Sequence, residues 1–250
     1  MDFKKILMGV AIVIVIYLIF TYIFTDSTKT DLLVMHDASV RKVIDSEDLT
    51  GGNSANYSYS FWLYINTWNY GYGNEKVIFR RTKIGDEETN LIEATLDTTN
   101  NNLKIKMAYS DGGDKPNNKT HDCIVSNIPL QKWTNIIATL NNKAIDIYLD
   151  GKLIKTCMLP GVQTPKPGQN LIVADKSSST VEGTGFSGFI AKLRFYSRTV
   201  NPREAYEIYK EGHGSGWLAN LLSQYQIKFA FLKNSKEINL IYKNYEICQY

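Results

Sequence analysis

The fold of this chain is decided by residues 133–157, which read WTNIIATLNNKAIDIYLDGKLIKTC. Three short apolar runs in this stretch are separated by Asn141-Asn142 and by Asp150-Gly151. An Asp-Gly pair between two apolar runs indicates a type I′ hairpin, because both central residues of that turn need positive φ. The stretch therefore predicts three antiparallel strands joined by tight turns.

The alternation of apolar and polar residues extends this pattern in both directions. From Tyr57 to Ile65 every second side chain is aromatic or aliphatic, which predicts a strand with one face in a core. Further strands are predicted by the short apolar runs Lys76–Arg80, Leu91–Asp97, Leu103–Tyr109, Asp122–Val125, Leu171–Ala174 and Phe189–Ser197. One helix is predicted at Pro202–Glu211, since Asn201 is a good N-cap and proline suits the first turn. About ten short strands with so little helix predict an all-β, antiparallel β-sandwich.

The order of these motifs resembles the laminin-G-like group of concanavalin A-like jelly-roll domains, which includes lectins and glucanases. The resemblance is carried by Tyr59–Ile65, Trp133–Leu140, Ala144–Lys152, Gly188–Arg198 and Asn201–Tyr209. These segments are similar to the family's early aromatic strand, its central Asp-Gly hairpin, and its closing strand and helix. The resemblance covers residues 55–212 and implies a jelly roll. It leaves the function open, because such domains include lectins, adhesion modules and enzyme appendages.

Four segments are expected along the chain: a membrane anchor at 1–25, a stalk at 26–55, the jelly roll at 56–212 and an appendage at 213–250. The appendage has the pattern of a short helix followed by a hairpin. A unit so small must dock on the sandwich, on a partner or on a membrane surface. A membrane-anchored domain with such an appendage also resembles envelope or inner-capsid proteins of large DNA viruses.

The N-terminal segment is apolar over a length that fits a bilayer. No charged residue occurs from Ile6 to Thr25, and residues 6–24 as a helix would span about 28 Å of a ~30 Å hydrocarbon core. Lys4 and Lys5 precede it, so the positive-inside rule predicts a cytosolic N-terminus and an extracellular or lumenal C-terminal domain. A cleaved signal peptide and a buried core helix are the alternatives. We expect an uncleaved anchor, with the lipid bilayer as the partner of residues 6–24.

Charge gives no support for nucleic-acid binding. The net charge is only +3 over 250 residues, which leaves no electrostatic footprint for a polyanion. The basic run of Arg80, Arg81 and Lys83 is interpreted as a solvated strand end or turn, with a phosphate site as the alternative.

The three cysteines are Cys123, Cys157 and Cys248, which form no CxxC pair and no cluster with histidine at zinc spacing. In an exported domain Cys123 and Cys157 can form a disulfide, and two buried free thiols are the alternative. Asn56 and Asn118 each begin an Asn-X-Ser/Thr triplet, so both are candidate glycosylation acceptors.

Catalytic residues are not expected. Related jelly-roll glucanases carry three acidic residues on one strand, with the reacting carboxylates about 5–5.5 Å apart. Here only Glu93 and Asp97 share a predicted strand. They are four residues apart in sequence, which corresponds to about 13 Å along a strand. We interpret them as a solvent-facing pair. His36, His121 and His213 fit no triad or metal motif and are interpreted as surface or loop residues. The sequence predicts no enzyme.

A ligand site is predicted in the loop that contains Trp68, Asn69, Tyr70 and Tyr72. Flat rings stack on the apolar face of a sugar, and neighbouring amides bond to its hydroxyl groups. The alternative is a loop that folds back onto the edge of the sandwich.

A calcium site is the one cofactor site considered, with Asp111 and Asp114 as oxygen donors. The alternative for this segment is a turn rich in residues that permit unusual φ angles. No other cofactor is expected.

These features together predict a membrane-anchored, non-catalytic recognition module of lectin or adhesion type, which binds glycans or proteins through its jelly roll. The alternative is a structural envelope or minor capsid protein of a virion membrane, with capsid or envelope proteins as partners. A glycoside hydrolase-like enzyme is the third hypothesis, and it lacks a third acid.

Overall fold

A computed structural model describes residues 3–23, 26–49, 51–52, 54–83, 90–112, 117, 119–177, 185–214, 232–233 and 236–237. The helices are α1 (Phe3–Ile23), α2 (Pro202–Lys210) and a 3-10 turn at Ser46–Asp48. The strands are β1 (Lys29–Asp37), β2 (Lys42–Ile44), β3 (Tyr57–Thr67), β4 (Lys76–Thr82), β5 (Ile92–Leu96), β6 (Leu103–Tyr109), β7 (Lys119–Val125), β8 (Thr134–Asn141), β9 (Ala144–Leu149), β10 (Lys152–Met158), β11 (Asn170–Val173), β12 (Ser187–Tyr196), β13 (Leu232–Lys233) and β14 (Lys236–Glu237).

Twelve of the described strands form two six-stranded sheets. The front sheet has the order β1-β12-β3-β8-β9-β10, and the back sheet has the order β2-β11-β4-β5-β6-β7. Every neighbouring pair is antiparallel. The prediction of an all-β antiparallel sandwich with one short helix is confirmed for this part of the chain.

The core lies between the two sheets because alternate residues of each strand point inwards. On β3 the inner residues are Tyr57, Tyr59, Phe61, Leu63 and Ile65, all of which are buried. Phe79 of the back sheet packs against two of these rings, with centroid distances of 5.1 Å to Tyr59 and 5.4 Å to Phe61. Aromatic contacts of this kind contribute about 0.5–1.5 kcal/mol each beyond their buried area, so they hold the sheets face to face.

The predicted hairpin and helix also form, and they pack on each other. Asp150 and Gly151 have φ values of 48° and 74°, as the turn between β9 and β10 requires. A side chain on Gly151 would come within 3.0 Å of the Tyr206 backbone on α2, so the turn packs tightly against the helix. The side chain of Asn201 caps α2 by accepting a hydrogen bond from the Glu204 amide at 3.0 Å.

The expected stalk at 26–55 differs from the structure, since much of this segment belongs to the sandwich. β1 pairs with β12 at the edge of the front sheet, and β2 pairs with β11 at the edge of the back sheet. Arg194 binds Asp31 at 2.6 Å, and Arg198 binds Asp26 at 2.8 Å. β1 is an edge strand with a register shift, so its side chains lack the regular alternation by which a strand is recognised from sequence.

The described residues form two compact units, 1–213 and 214–250. In the first unit, α1 is 21 residues long, and its described side chains, from Met8 to Ile19, are all exposed. No helix in the described part of the chain is long and apolar enough to cross a membrane. In the second unit, β13 and β14 form a short antiparallel pair, and the helix expected near residues 217–225 lies outside the described residues.

Candidate functional site

A row of rings crosses the outer face of the front sheet. Phe189 on β12 pairs with Tyr64 on β3, and the Tyr64 ring lies 5.4 Å from that of Trp133, directly before β8. Trp133 in turn stacks on His213 with a centroid distance of 4.6 Å and an interplanar angle of 9°. Phe189 is 42% exposed, while Tyr64, Trp133 and His213 are half-buried. We call Phe189, Tyr64, Trp133 and His213 the aromatic row.

Further rings on the same sheet face pack beside the aromatic row and hold His213 in position. Trp62 is buried and stacks on Tyr209 of α2 at 5.8 Å, with His213 at its edge at 5.7 Å. Because α2 ends next to this sheet face, the residues that follow it bring His213 to Trp133. Burial, with a smaller effect from the positive charge of Lys192, lowers the pKa of His213. The imidazole is therefore neutral near pH 7 and behaves as a flat, uncharged ring.

Exposed amide side chains lie at one end of the aromatic row. Asn66 follows β3's buried Ile65, and the Gln131 amide donates to the Ile65 carbonyl at 2.8 Å. The Gln131 side chain donates to the Asn66 carbonyl at 3.3 Å, and both side chains are exposed. Rings flanked by amides provide stacking for an apolar face together with donors and acceptors for hydroxyl groups. The arrangement can therefore hold a sugar ring without any reactive group.

The residues of the loop predicted to bind a ligand differ in their burial. Trp68 is half-buried and packs against the main core, and the Lys76 ammonium lies 4.6 Å from its ring. Tyr72 is 61% exposed, Asn69 is exposed and Tyr70 is half-buried. A ligand site in this loop stays a prediction, with Tyr72 and Asn69 as its accessible groups.

The calcium and glycosylation predictions fall partly outside the described residues. Asp111 forms an ion pair with Lys119 at 2.5 Å, whereas Asp114 and Asn118 are outside the described ranges. Asn56 is exposed, and its side-chain oxygen accepts a hydrogen bond from the Asn142 amide at 2.7 Å. Among the described residues there is no group of three or more His, Cys, Asp or Glu side chains that could hold a metal ion.

A disulfide bond joins Cys123 to Cys157, with a Cα–Cα distance of 6.0 Å. Cys123 lies on β7, the edge of the back sheet, and Cys157 lies on β10, the edge of the front sheet. Near it, the Lys155 ammonium donates to the Ile124 carbonyl at 2.7 Å. The bond therefore closes the sandwich at one side, where the two sheets have few other contacts.

Glu93 is part of a row of ion pairs on the outer face of the back sheet and is buried, contrary to the solvent-facing interpretation. Lys106 lies 3.5 Å and Arg80 lies 3.9 Å from its carboxylate. β5 is flanked by β4 and β6, so long cationic side chains from both neighbours cover the carboxylate. Asp97 instead accepts a hydrogen bond from the Thr98 amide at 2.7 Å. The two carboxylates thus have separate structural partners.

The interpretation of Arg80, Arg81 and Lys83 as a solvated strand end is wrong for Arg81. Arg81 is 2% exposed and pairs in register with Ile92 and Leu171, both of which face the core. Arg80 points to the opposite face, where it binds Asp175. Arg81 alternates regularly with the core residue Phe79 on β4, but arginine is rarely fully buried, so the basic run favours exposure.

The aromatic row was not identified from sequence, although part of its signal is present. Trp62 and Tyr64 alternate with the inner residues of β3, so both faces of that strand carry rings. A strand that is aromatic on its outer face indicates a covered or binding surface. The remaining members come from distant parts of the chain, and only the fold brings them together.

Residues 39–205 match the family model described as the concanavalin A-like lectin/glucanases superfamily. Among solved structures, the receptor binding domain of botulinum neurotoxin mosaic serotype C/D has a TM-score of 0.54 at 14% identity, covering 74% of this chain and 42% of that one. The binding domain of botulinum neurotoxin serotype G has a TM-score of 0.52 at 15% identity, covering 71% and 46%. The chain thus spans less than half of those domains, and the likeness concerns the fold. No curated protein matches the chain.

Proposed function

The chain belongs to the concanavalin A-like lectin/glucanases superfamily, and from this premise we propose that it is a non-catalytic recognition module that binds a glycan on its aromatic row. The similar neurotoxin structures are receptor binding domains. Recognition of a receptor by a lectin-like jelly roll is the corresponding function for this chain.

The observation that carries the proposal is the aromatic row itself. His213 packs between Trp133 and Trp62, and Trp62 stacks on Tyr209, so little conformational entropy is lost when a ligand stacks on the row. Apolar and aromatic area exposed on a sheet face marks a binding surface more often than it marks an accident of composition. The amides of Asn66 and Gln131 add the directional bonds that distinguish one sugar from another.

The non-catalytic part of the proposal is supported by the partners of the acidic residues. A glycosidase needs one free carboxylic acid and one free carboxylate on either side of a bond. Glu93 is held by Lys106 and Arg80, and Asp97 is held by neighbouring backbone and side-chain donors. Neither group is available to donate or accept a proton during glycoside hydrolysis.

The proposed location is a membrane, with the jelly roll on the extracellular or lumenal side. Support comes from the uncharged stretch that ends at Thr25 and from the exposure of side chains Met8 to Ile19. In the sequence, residues 6–24 would span about 28 Å as a helix, close to the ~30 Å thickness of a hydrocarbon core. The disulfide supports the same side, since such bonds persist in oxidising compartments.

A structural protein of a virion envelope or capsid membrane is the second candidate, and the β1 edge favours it. Val34 on this edge strand is 82% exposed, and Met35 next to it is exposed as well. An edge strand with apolar side chains can pair with a strand of a neighbouring protein. This candidate predicts protein partners and no glycan ligand.

A glycan array with the intact purified chain tests the two candidates against each other. We expect at least one glycan class above background, and we expect Tyr64→Ala with Trp133→Ala to lower its affinity tenfold or more, because each stacked ring contributes about 1 kcal/mol. Tyr206→Ala is the matched control, since this exposed tyrosine lies on α2 outside the row. Tyr72→Ala tests the loop prediction in the same assay. A silent array, or equal binding by the double variant, would refute the glycan proposal.

A further inference from the structure

Arg81 is a buried cation for which no described residue supplies a counter-charge. The side chain is 2% exposed, and its Nε and Nη1 atoms have no hydrogen-bond partner in the described part of the chain. The Tyr59 hydroxyl lies close enough to the guanidinium to interact with it, but it is a neutral group and does not balance the charge. The Tyr57 hydroxyl is already used, because it donates to Gln163 at 2.5 Å. A charge removed from water without a partner costs several kcal/mol, so a protein retains such a group when something else pairs with it.

A cavity of about 410 Å³ opens next to this guanidinium. The segment around Ser46, Glu47 and Gly52 forms one wall, and the turn at Gly168 forms another. A side chain on Gly52 would lie 3.0 Å from the Arg81 Nη2 atom. Because Gly52 has no side chain, the Nη2 atom of Arg81 borders the cavity directly.

The size of the cavity and its single cation define the class of ligand. The volume is within the range of small-molecule sites, which hold a few polar groups on otherwise neutral walls. A guanidinium recognises planar or tetrahedral oxyanions through two parallel hydrogen bonds. Glu47 lines the cavity with an exposed side chain, and no ion pair joins it to Arg81 within the described residues. Glu47, which lines the cavity, therefore leaves the cation unneutralised.

We propose that this cavity binds the oxyanion of a small ligand, a carboxylate or a sulfate, through the guanidinium of Arg81. The site is separate from the aromatic row, since Arg81 faces the interior from the back sheet and the row lies on the outer face of the front sheet. It stands whether or not the row binds a glycan.

Thermal unfolding of the full-length chain tests this proposal, with sodium acetate, sodium glucuronate, sodium sulfate and sodium phosphate as probes at matched ionic strength. Methyl glucoside and sodium chloride are the neutral and ionic controls. A probe at ten times its Kd is expected to raise the Tm by about 3–6 °C. A larger shift with glucuronate than with acetate assigns a carboxylate on a sugar, and a larger shift with sulfate or phosphate assigns a tetrahedral anion. No shift with any of the four anions would overturn the proposal.

Three variants assign the effect to Arg81. Arg81→Met is expected to abolish the shift while leaving the ligand-free Tm unchanged or higher, because a buried unpaired charge is replaced by an apolar chain of similar length. Arg80→Gln changes the neighbouring residue, whose side chain points to the opposite face of the sheet. This variant is expected to show the full anion-induced rise in Tm relative to its own ligand-free Tm. Glu47→Gln removes a repulsive charge from an exposed position and is expected to tighten binding about threefold.

Three outcomes for these variants would contradict the proposal. If Glu47 neutralises Arg81 in solution, Glu47→Gln will lower the ligand-free Tm and anion binding will be absent, which overturns the proposal. An unchanged anion shift in Arg81→Met overturns it equally. If Arg81→Met fails to fold, Arg81→Lys keeps the charge but loses the paired hydrogen bonds, and an affinity equal to that of the wild type contradicts the assignment.

Discussion

Replacement of Cys123 and Cys157 by alanine is expected to lower the free energy of unfolding by about 3–4 kcal/mol. The bond closes a loop with a sequence separation of 34 residues, and the loss comes mainly from the greater conformational freedom of the unfolded chain. It also frees the edge strands β7 and β10 from each other. For a domain of this size the corresponding drop in Tm is about 6–16 °C.

The wild type under reducing conditions is the matched control for this prediction. Its Tm should fall to that of the double variant, and the double variant should show no response to the reductant. A wild-type Tm that is insensitive to dithiothreitol, or a double variant as stable as the wild type, would contradict the stabilising role of the bond.

Asp175→Asn is expected to destabilise the sandwich by about 2–4 kcal/mol. The Asp175 carboxylate joins Arg41 at 2.9 Å and also binds Arg80, so it connects the ends of β2, β4 and β11. The amide of asparagine cannot neutralise either guanidinium. Chemical denaturation at pH 7 measures the difference directly.

The effect of Asp175 should depend on pH in a defined direction. Burial opposes ionisation of this carboxyl, but the hydrogen bond and charge of Arg80, with help from the Lys176 amide and Arg41, hold its pKa below the usual value. A lowered folded-state pKa gives stability that is present above the unfolded pKa, about 3.9, and is lost as the pH falls through the folded value. The difference in the free energy of unfolding between the wild type and Asp175→Asn should therefore become smaller below about pH 4.

Glu207→Gln is the control for this pair of experiments. Glu207 binds Arg203 at 3.1 Å in an exposed pair one turn apart on α2, and such pairs contribute less than about 0.5 kcal/mol. Equal losses in Asp175→Asn and Glu207→Gln would mean that burial of the Asp175 cluster has no energetic consequence.

The sandwich was predictable from sequence wherever local chemistry and burial agree. The inner face of β3, the turn at Asp150-Gly151 and the Asn201 cap each follow from a rule that involves only nearby residues. β1 was not predictable, because its place at the edge is set by pairing with β12, more than 150 residues away. Edge strands bury few side chains, so their sequences carry a weak signal.

The site residues also differ in whether nearby sequence or long-range pairing determines their position. The rings at Trp68 and Tyr72 were noticed because they are neighbours in sequence, yet the structure puts Trp68 against the core. The aromatic row brings together Tyr64, Trp133 and Phe189, which lie far apart in the sequence. A basic run such as Arg80, Arg81 and Lys83 is usually exposed, whereas Arg81 shares the inward face of β4 with Phe79. Long-range pairing, which a single sequence does not reveal, brings the aromatic row together.

The most direct measurement of the central claim is the dissociation constant of one array-identified glycan for four forms of the intact chain. Titration calorimetry should give equal affinities for the wild type, Tyr206→Ala and Tyr72→Ala. It should give a Kd at least tenfold weaker for the Tyr64→Ala, Trp133→Ala double variant, with an unchanged far-UV circular dichroism spectrum to show that the fold is intact. Equal Kd values for the double variant and the wild type would contradict recognition by the aromatic row.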